Sequence, residues 1–191
     1  MRKVIAAINI TIDGFCDHTL AIADDELHQH YTELLHNAGV LLYGRKTYEL
    51  MGFWRPLLKE PIGNKAMDEF AVAIDSVPKL VFSRTLTDVD WDSAKLAKRG
   101  LTETVSELKS LPGKDIFACS PSLISTLTGQ GLIDEFQLCV HPVIAGSGLP
   151  LFKHITDSVI LKLTKTKEFR SGAIIHSYRP GDQHTIIGEV Q

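Results

Sequence analysis

Cysteine is scarce in this chain, with only Cys16, Cys119 and Cys139 among 191 residues. Their number is odd and no two have CxxC spacing, which argues against a disulfide framework and against a cysteine-based structural zinc site. The reducing cytoplasm is the expected compartment. An excess of positive charge is also missing. Lys and Arg total 20 against 23 Asp and Glu, for a net charge of −3, and the basic residues are scattered, so there is no electrostatic footprint for nucleic acid. No apolar run approaches the length of a membrane span. The run Val4-Ile5-Ala6-Ala7-Ile8 meets Asn9 and Asp13 without a cleavage-site pattern, so it reads as a buried first strand and not as a signal peptide. Internal repeats and low-complexity segments are absent. No metal site is expected: His28 and His30, at i and i+2 of a helix, point apart.

What is present is a well-mixed chain, 44% hydrophobic and 23% charged, long enough for one buried core and short for two. One domain is expected over 1–180, followed by a C-terminal tail, 181–191, without assignment. Strand character falls at 3–10, 39–43, 78–83, 114–119 and 133–142, and alternates with helix character. The helix at 24–37 places Leu27, Tyr31, Leu34, Leu35 and Ala38 on one face, with Asp24, Asp25 and Glu26 at its positive end. A second helix at 102–110 stops at Pro112-Gly113, and a third opens at Ser120-Pro121, a capping residue followed by proline. This alternation predicts an α/β domain with a largely parallel sheet. After Asp134 the pattern changes, and 159–166 and 172–178 read as two strands joined by a turn, so the C-terminal part is expected to be antiparallel.

The segment Gly44-Arg45-Lys46-Thr47 follows the apolar run Val40-Leu41-Leu42-Tyr43 and opens a short helix. Such a turn offers backbone N–H groups, two cationic side chains and a hydroxyl, a combination suited to a phosphate. Ser83-Arg84, at the end of another strand, is a second place where a hydroxyl and a guanidinium stand together.

These segments fall in one order with others: Thr11-Ile12-Asp13-Gly14-Phe15, Leu108-Lys109, Pro112-Gly113-Lys114-Asp115-Ile116, Gly131-Leu132-Ile133-Asp134-Glu135, and Pro142 with Gly146-Ser147-Gly148 and Leu151-Phe152. Over roughly 2–178 the chain thereby resembles the dihydrofolate-reductase-like family that includes the C-terminal reductase domain of the bifunctional riboflavin-biosynthesis deaminase/reductase. The resemblance implies a three-layer α/β/α sandwich on a mixed sheet and a reductase that uses NADPH. It implies that Gly44, Arg45, Lys46 and Thr47 face the pyrophosphate, that Ser83 and Arg84 face the adenosine 2′-phosphate, and that a third turn, Cys119-Ser120 with Ser122 and Leu123, completes the cofactor site. That turn departs from the family's Gly-Gly pair, and a Cβ at both positions changes how closely backbone can approach a phosphate.

On the substrate side the resemblance points to Asp13 as the catalytic candidate, and to Asp13, Gly14, His28 and Trp54 as substrate-binding. Authentic dihydrofolate reductases carry a carboxylate on the first helix where this chain has His28. The zinc-binding His-x-Glu and Pro-Cys-x-x-Cys of the deaminase half are missing, which leaves a stand-alone reductase-type domain. The implied partners are a small-molecule substrate and a second copy in a homodimer, with no nucleic acid and no membrane. The expected reaction is closest to reduction of 5-amino-6-(5-phosphoribosylamino)uracil. The alternatives are dihydrofolate reduction and a non-catalytic NADP(H)- or nucleotide-binding domain.

Overall fold

The computed structural model describes residues 1–153 and 155–181, so the expected tail beyond 181 lies outside the described residues. The elements in chain order are β1 (Val4–Thr11), α1 (Asp25–His36), β2 (Ala38–Gly44), α2 (Arg45–Met51), α3 (Lys65–Ser76), β3 (Lys79–Phe82) and β4 (Ala94–Leu96). They continue with α4 (Leu101–Ser110), β5 (Asp115–Ala118), α5 (Pro121–Gly129), β6 (Glu135–His141), β7 (Leu161–Glu168) and β8 (Ile174–Pro180). Short 3-10 turns occupy His18–Leu20, Gly52–Trp54 and Pro56–Leu58.

One eight-stranded sheet runs in the order β4-β3-β2-β5-β1-β6-β8-β7. Strands β4 through β6 in that order are mutually parallel. The antiparallel pairing expected after Asp134 begins one strand later: β6 itself lies parallel to β1, then β8 reverses against it and β7 against β8. Parallel neighbours need a crossover: α2 and α3 supply it between β2 and β3, whereas β3 reaches β4 through the 83–93 loop without a helix.

Apolar residues on both faces of the central strands explain why helices cover both sides. On one face Val4, Ala6, Ile8, Val40, Leu42, Ile116 and Ala118 pack with Val105 of α4 and with Leu123, Ile124 and Leu127 of α5. On the other, Ile5, Leu41, Tyr43 and Phe117 pack with Leu35 of α1 and with Phe70, Ala73 and Ile74 of α3. At about 1.5–3 kcal/mol for each large apolar side chain buried, these two layers dominate the stability. The expected three-layer α/β/α sandwich is the observed architecture.

Local chemistry sets the helix ends. Asp24 accepts from the Leu27 amide at 2.8 Å to cap α1, and Asn64 accepts from the Met67 amide at 2.9 Å to cap α3. Helix α3 and strand β4 have no counterpart in the sequence reading. Gly39 is fixed by crowding: a Cβ there would lie 2.6 Å from the Lys114 carbonyl oxygen and 2.6 Å from the Arg2 guanidinium. Arg2 in turn donates to that same carbonyl at 2.5 Å, which ties the first residues to the start of β5.

Candidate functional site

The topology creates a crevice where neighbouring parallel strands send their chains to opposite faces. Strands β1 and β2 continue into α1, α2 and α3 on one side, whereas β5, lying between them, continues into α5 on the other. Ligands of open α/β sheets bind at the carboxyl ends of the strands at such a switch point. Gly44 ends β2 there, and Ser120 follows β5.

Two helices begin at this crevice. Gly44 precedes α2 and has no side chain to cap it. Ser120 precedes α5, but its hydroxyl is turned away from its own helix and accepts the Gly44 amide at 2.8 Å. The first-turn amides of both helices are therefore left without side-chain caps, unlike those of α1 and α3. A Cβ on Gly44 would meet the Ser122 hydroxyl at 3.6 Å and Ser120 Cβ at 3.7 Å, so a glycine keeps open the gap between the two helix starts. Its φ of −80° is ordinary, so space and not backbone strain is what the glycine provides. The sequence reading left open how Ser120 could replace a glycine. It is buried, and its hydroxyl satisfies the Gly44 amide, one of the donors at this turn.

The charged and polar groups around the crevice are arranged as follows. Arg45 and Lys46 are exposed at the start of α2, and Arg45 pairs with Glu49 at 3.3 Å. Thr47 is half-buried in the same turn. Tyr48 behind them is buried and donates to Asp90 at 2.8 Å, while Arg55 holds the same carboxylate at 2.9 Å, which braces α2 against the 84–93 loop. After β3, the Ser83 hydroxyl accepts from the amides of Thr85 and Leu86 at 3.1 and 2.9 Å, shaping the turn that carries the exposed Arg84. Burial pushes the Cys119 thiol up to about 12, so it stays protonated and is no nucleophile. Leu123 is buried beneath the first turn of α5, and Ser122 is exposed above it. Ser122 also lines a groove of about 430 Å³ that runs between α5 and the 149–153 segment.

Beyond the end of β1 a second cluster forms. Asp13 accepts from the Thr11 hydroxyl at 2.6 Å, the Ala145 amide at 3.0 Å and the Gly146 amide at 2.7 Å. These bonds, the Thr11 hydroxyl first, hold its carboxyl down at about 2. It is a fixed anion at ordinary pH and carries no proton to donate. Gly14 accepts from the Leu151 amide at 3.0 Å, and the Cys16 amide donates to Leu149 at 2.8 Å. Asp13 and Gly14 thus join the loop after β1 to the loop after β6.

His28 and Trp54, separate in sequence, come together with ring centroids 5.7 Å apart, and Phe70 meets Trp54 edge-to-face with centroids 4.6 Å apart. His28 donates through Nδ1 to the Asp24 carbonyl at 2.9 Å. Phe53, edge-on to Trp54 and 61% exposed, extends this aromatic wall to the surface. None of the three acids at the start of α1 is left unbonded: Asp24 accepts from Leu27 and Ser171, Asp25 from Asn64 and Glu26 from Arg170.

Sequence reasoning missed a polar network between β1, α1 and β6. Tyr31 donates to Asn9 Oδ1 at 3.0 Å, and His141 Nε2 lies 3.0 Å from the same oxygen. The available signal was a carboxamide at a position of β1 that shares a face with Ile5 and Ala7. Among the described residues no group of three or more His, Cys, Asp or Glu could hold a metal ion.

A largely parallel sheet with two uncapped helix starts at its switch point defines an open α/β domain with a crevice at the carboxyl ends of its strands. The chain belongs to the RibD C-terminal domain family, whose model matches residues 2–175. It is 35% identical to the uncharacterized protein YyaP of Bacillus subtilis (strain 168) over 179 residues, 91% of this chain and 92% of that protein. Among solved structures, it resembles a protein provisionally assigned to riboflavin biosynthesis in Shewanella sp. PV-4, with a TM-score of 0.69, 19% identity and coverage of 95% and 100% of the two chains. It also resembles a pyrimidine reductase-like protein of Corynebacterium diphtheriae, with a TM-score of 0.64, 15% identity and coverage of 95% and 92%. The family supports a reductase of the riboflavin-pathway type.

Proposed function

We propose that this protein is an NADPH-dependent reductase of a small planar heterocycle with a carbonyl or imine group, of the class of 5-amino-6-(5-phosphoribosylamino)uracil. The observation that carries the reading is the pair of uncapped helix starts, α2 and α5, facing one crevice at the switch point of the sheet. The donor set suits the cofactor. First-turn amides of both helices, the Ser122 hydroxyl, Arg45, Lys46 and Thr47 would hold the pyrophosphate, with Cys119, Ser120 and Leu123 shaping the turn beneath it. Arg84 on the Ser83 turn would meet the 2′-phosphate, where an NAD site favours an acid instead.

Bound there, NADPH supplies the hydride. The protein's part is to orient the two reactants and exclude competing geometries. Asp13 holds the loops after β1 and β6 as one substrate-side wall with Gly14. His28 and Trp54 form the aromatic side, against which a planar ring can lie. The proton comes from solvent, because Asp13 is a fixed anion and the acids of α1 are bonded elsewhere. The same engagement of the α1 acids disfavours folate reduction, which needs a carboxylate at the position of His28. If the protein is a homodimer, its contact avoids the β7 edge, where Lys162, Lys165 and Lys167 oppose strand pairing.

The test is to follow NADPH absorbance with 5-amino-6-(5-phosphoribosylamino)uracil, dihydrofolate and simple carbonyl compounds. Turnover with the aminouracil is expected. Tight NADPH binding without turnover of any of them would leave a binding domain in its place.

A further inference from the structure

The network around Asn9 defines more than a packing contact. The Ile22 amide donates to His141 Nδ1 at 3.1 Å. That ring nitrogen must then be the acceptor, so the single proton of neutral His141 sits on Nε2. His141 is 1% exposed, and its burial lowers its pKa, which keeps the ring neutral. Nε2–H therefore donates to Asn9 Oδ1 at 3.0 Å, with Cys139 Sγ beside it at 3.7 Å. Tyr31 OH donates to the same oxygen at 3.0 Å. A flipped carboxamide would set its NH₂ against the His141 N–H, donor against donor. The backbone of the loop before α1 thus fixes the orientation of an amide on β1.

With both lone pairs of Oδ1 taken, the remaining hydrogen-bonding capacity of Asn9 is two N–H donors on Nδ2. Nδ2 has no hydrogen-bond partner among the described residues, and on half-buried Asn9 it is not fully sealed from solvent. Asn9 pairs in register with Cys139, two residues before the end of β1 and beside the crevice at the end of β5. We propose that Asn9 Nδ2 is a preoriented donor that binds a neutral acceptor on the substrate, such as a carbonyl oxygen of a pyrimidinone ring, with Tyr31, His141 and Ile22 as its positioning residues. A neutral acceptor is favoured over an anion because the network carries no positive charge and Asp24 is close enough to be felt at Cys139. This inference rests on the reductase reading for the identity of the ring, but the donor geometry stands by itself.

The experiment uses 6-aminouracil as the probe, added to the protein with and without saturating NADP⁺. The Asn9 side-chain NH₂ resonances, assigned by their disappearance in Asn9→Ala, should shift when the probe binds. Asn9→Ala and Asn9→Asp should both bind it about three- to tenfold more weakly, while NADP⁺ affinity is unchanged. Asn9→Asp keeps an oxygen for Tyr31 and His141, so it separates loss of the donor from loss of the fold. Nitrogen NMR of His141 should show the Nε2–H tautomer at neutral pH.

Unshifted NH₂ resonances with unchanged probe affinity in both variants would overturn the proposal. A fall in NADP⁺ affinity in Asn9→Asp would overturn it too, by giving the amide to the cofactor. NADP⁺ binding with no binding of 6-aminouracil would overturn the ligand class. Asn9-dependent probe binding without any NADP⁺ binding would uphold the inference while removing the cofactor reading.

Discussion

Lys79 carries its ammonium group into the interior at the head of β3. Nζ shares its three N–H donors among four acceptors, the carbonyls of Ile74, of Asp75 at 3.1 Å and of Val77 at 2.8 Å and the Ser93 hydroxyl at 2.8 Å. It also lies over the Trp91 ring at 4.2 Å. The side chain thus closes the C-terminal end of α3, where carbonyls lack helical partners and the dipole is negative. Burial lowers its pKa to about 8. Lys79→Met should cost about 2–4 kcal/mol in denaturant unfolding, because the carbonyls at the end of α3 lose this donor in a largely buried site. An unchanged midpoint would show that water replaces the ammonium. The role was hidden in the sequence, where a lysine at the head of a strand reads as surface. The phosphate-turn residues were legible because Gly44-Arg45-Lys46-Thr47 are adjacent. Asn9 was not, since its partners Tyr31 and His141 come from other elements.

At the scale of elements, α1 shows what periodicity reveals and what it omits. Its apolar stripe and acidic cap predicted both its span and its inward face. Helix α3 carries a comparable spacing in Phe70, Ala73 and Ile74, continued by Val77 just past its end, but the small Ala66, Ala71 and Ala73 blur the contrast between its faces. Strand β4 has three residues, too few for an alternation to register. The contact of α1 with the β7–β8 end depended on tertiary placement. There His30 lies edge-on to Phe169 with centroids 5.6 Å apart, and Lys167 Nζ is 3.4 Å from His30 Nδ1.

Burial first, then Lys167 and Lys165, lower His30 from 6.5 to about 4, with Glu33 opposing. The unfolded chain would take up this proton near 6.5 and the folded one only near 4. This group's contribution to stability is therefore complete above 6.5 and is lost as pH falls from there towards 4. Melting temperatures across that window should fall less steeply in His30→Gln than in the parent protein. Parallel curves would exclude His30 as a source of the acid sensitivity.

At the scale of the whole molecule, the sequence showed an α/β domain but not which strand ends meet. β2 and β5 are neighbours although α2, α3, β3, β4 and α4 lie between them in the chain, and the crevice exists only because of that pairing. Gly44 and Ser120 become partners there, and the replacement of a Gly-Gly turn by Cys119-Ser120 acquires a physical meaning: the added hydroxyl occupies an amide that a glycine would leave open. The motif order carried the family because most of its motifs sit at strand ends or turns, where the fold constrains residue type most; Leu108-Lys109, inside α4, is the exception.

The central claim is that this crevice holds NADPH, with Arg84 reading the 2′-phosphate. The most direct measurement is calorimetric titration of the parent protein and Arg84→Ala with NADPH and with NADH. The parent should bind NADPH at least about tenfold more tightly than NADH, and Arg84→Ala should lose most of that preference. Equal affinity for the two nucleotides, or no binding of NADPH, would contradict the account.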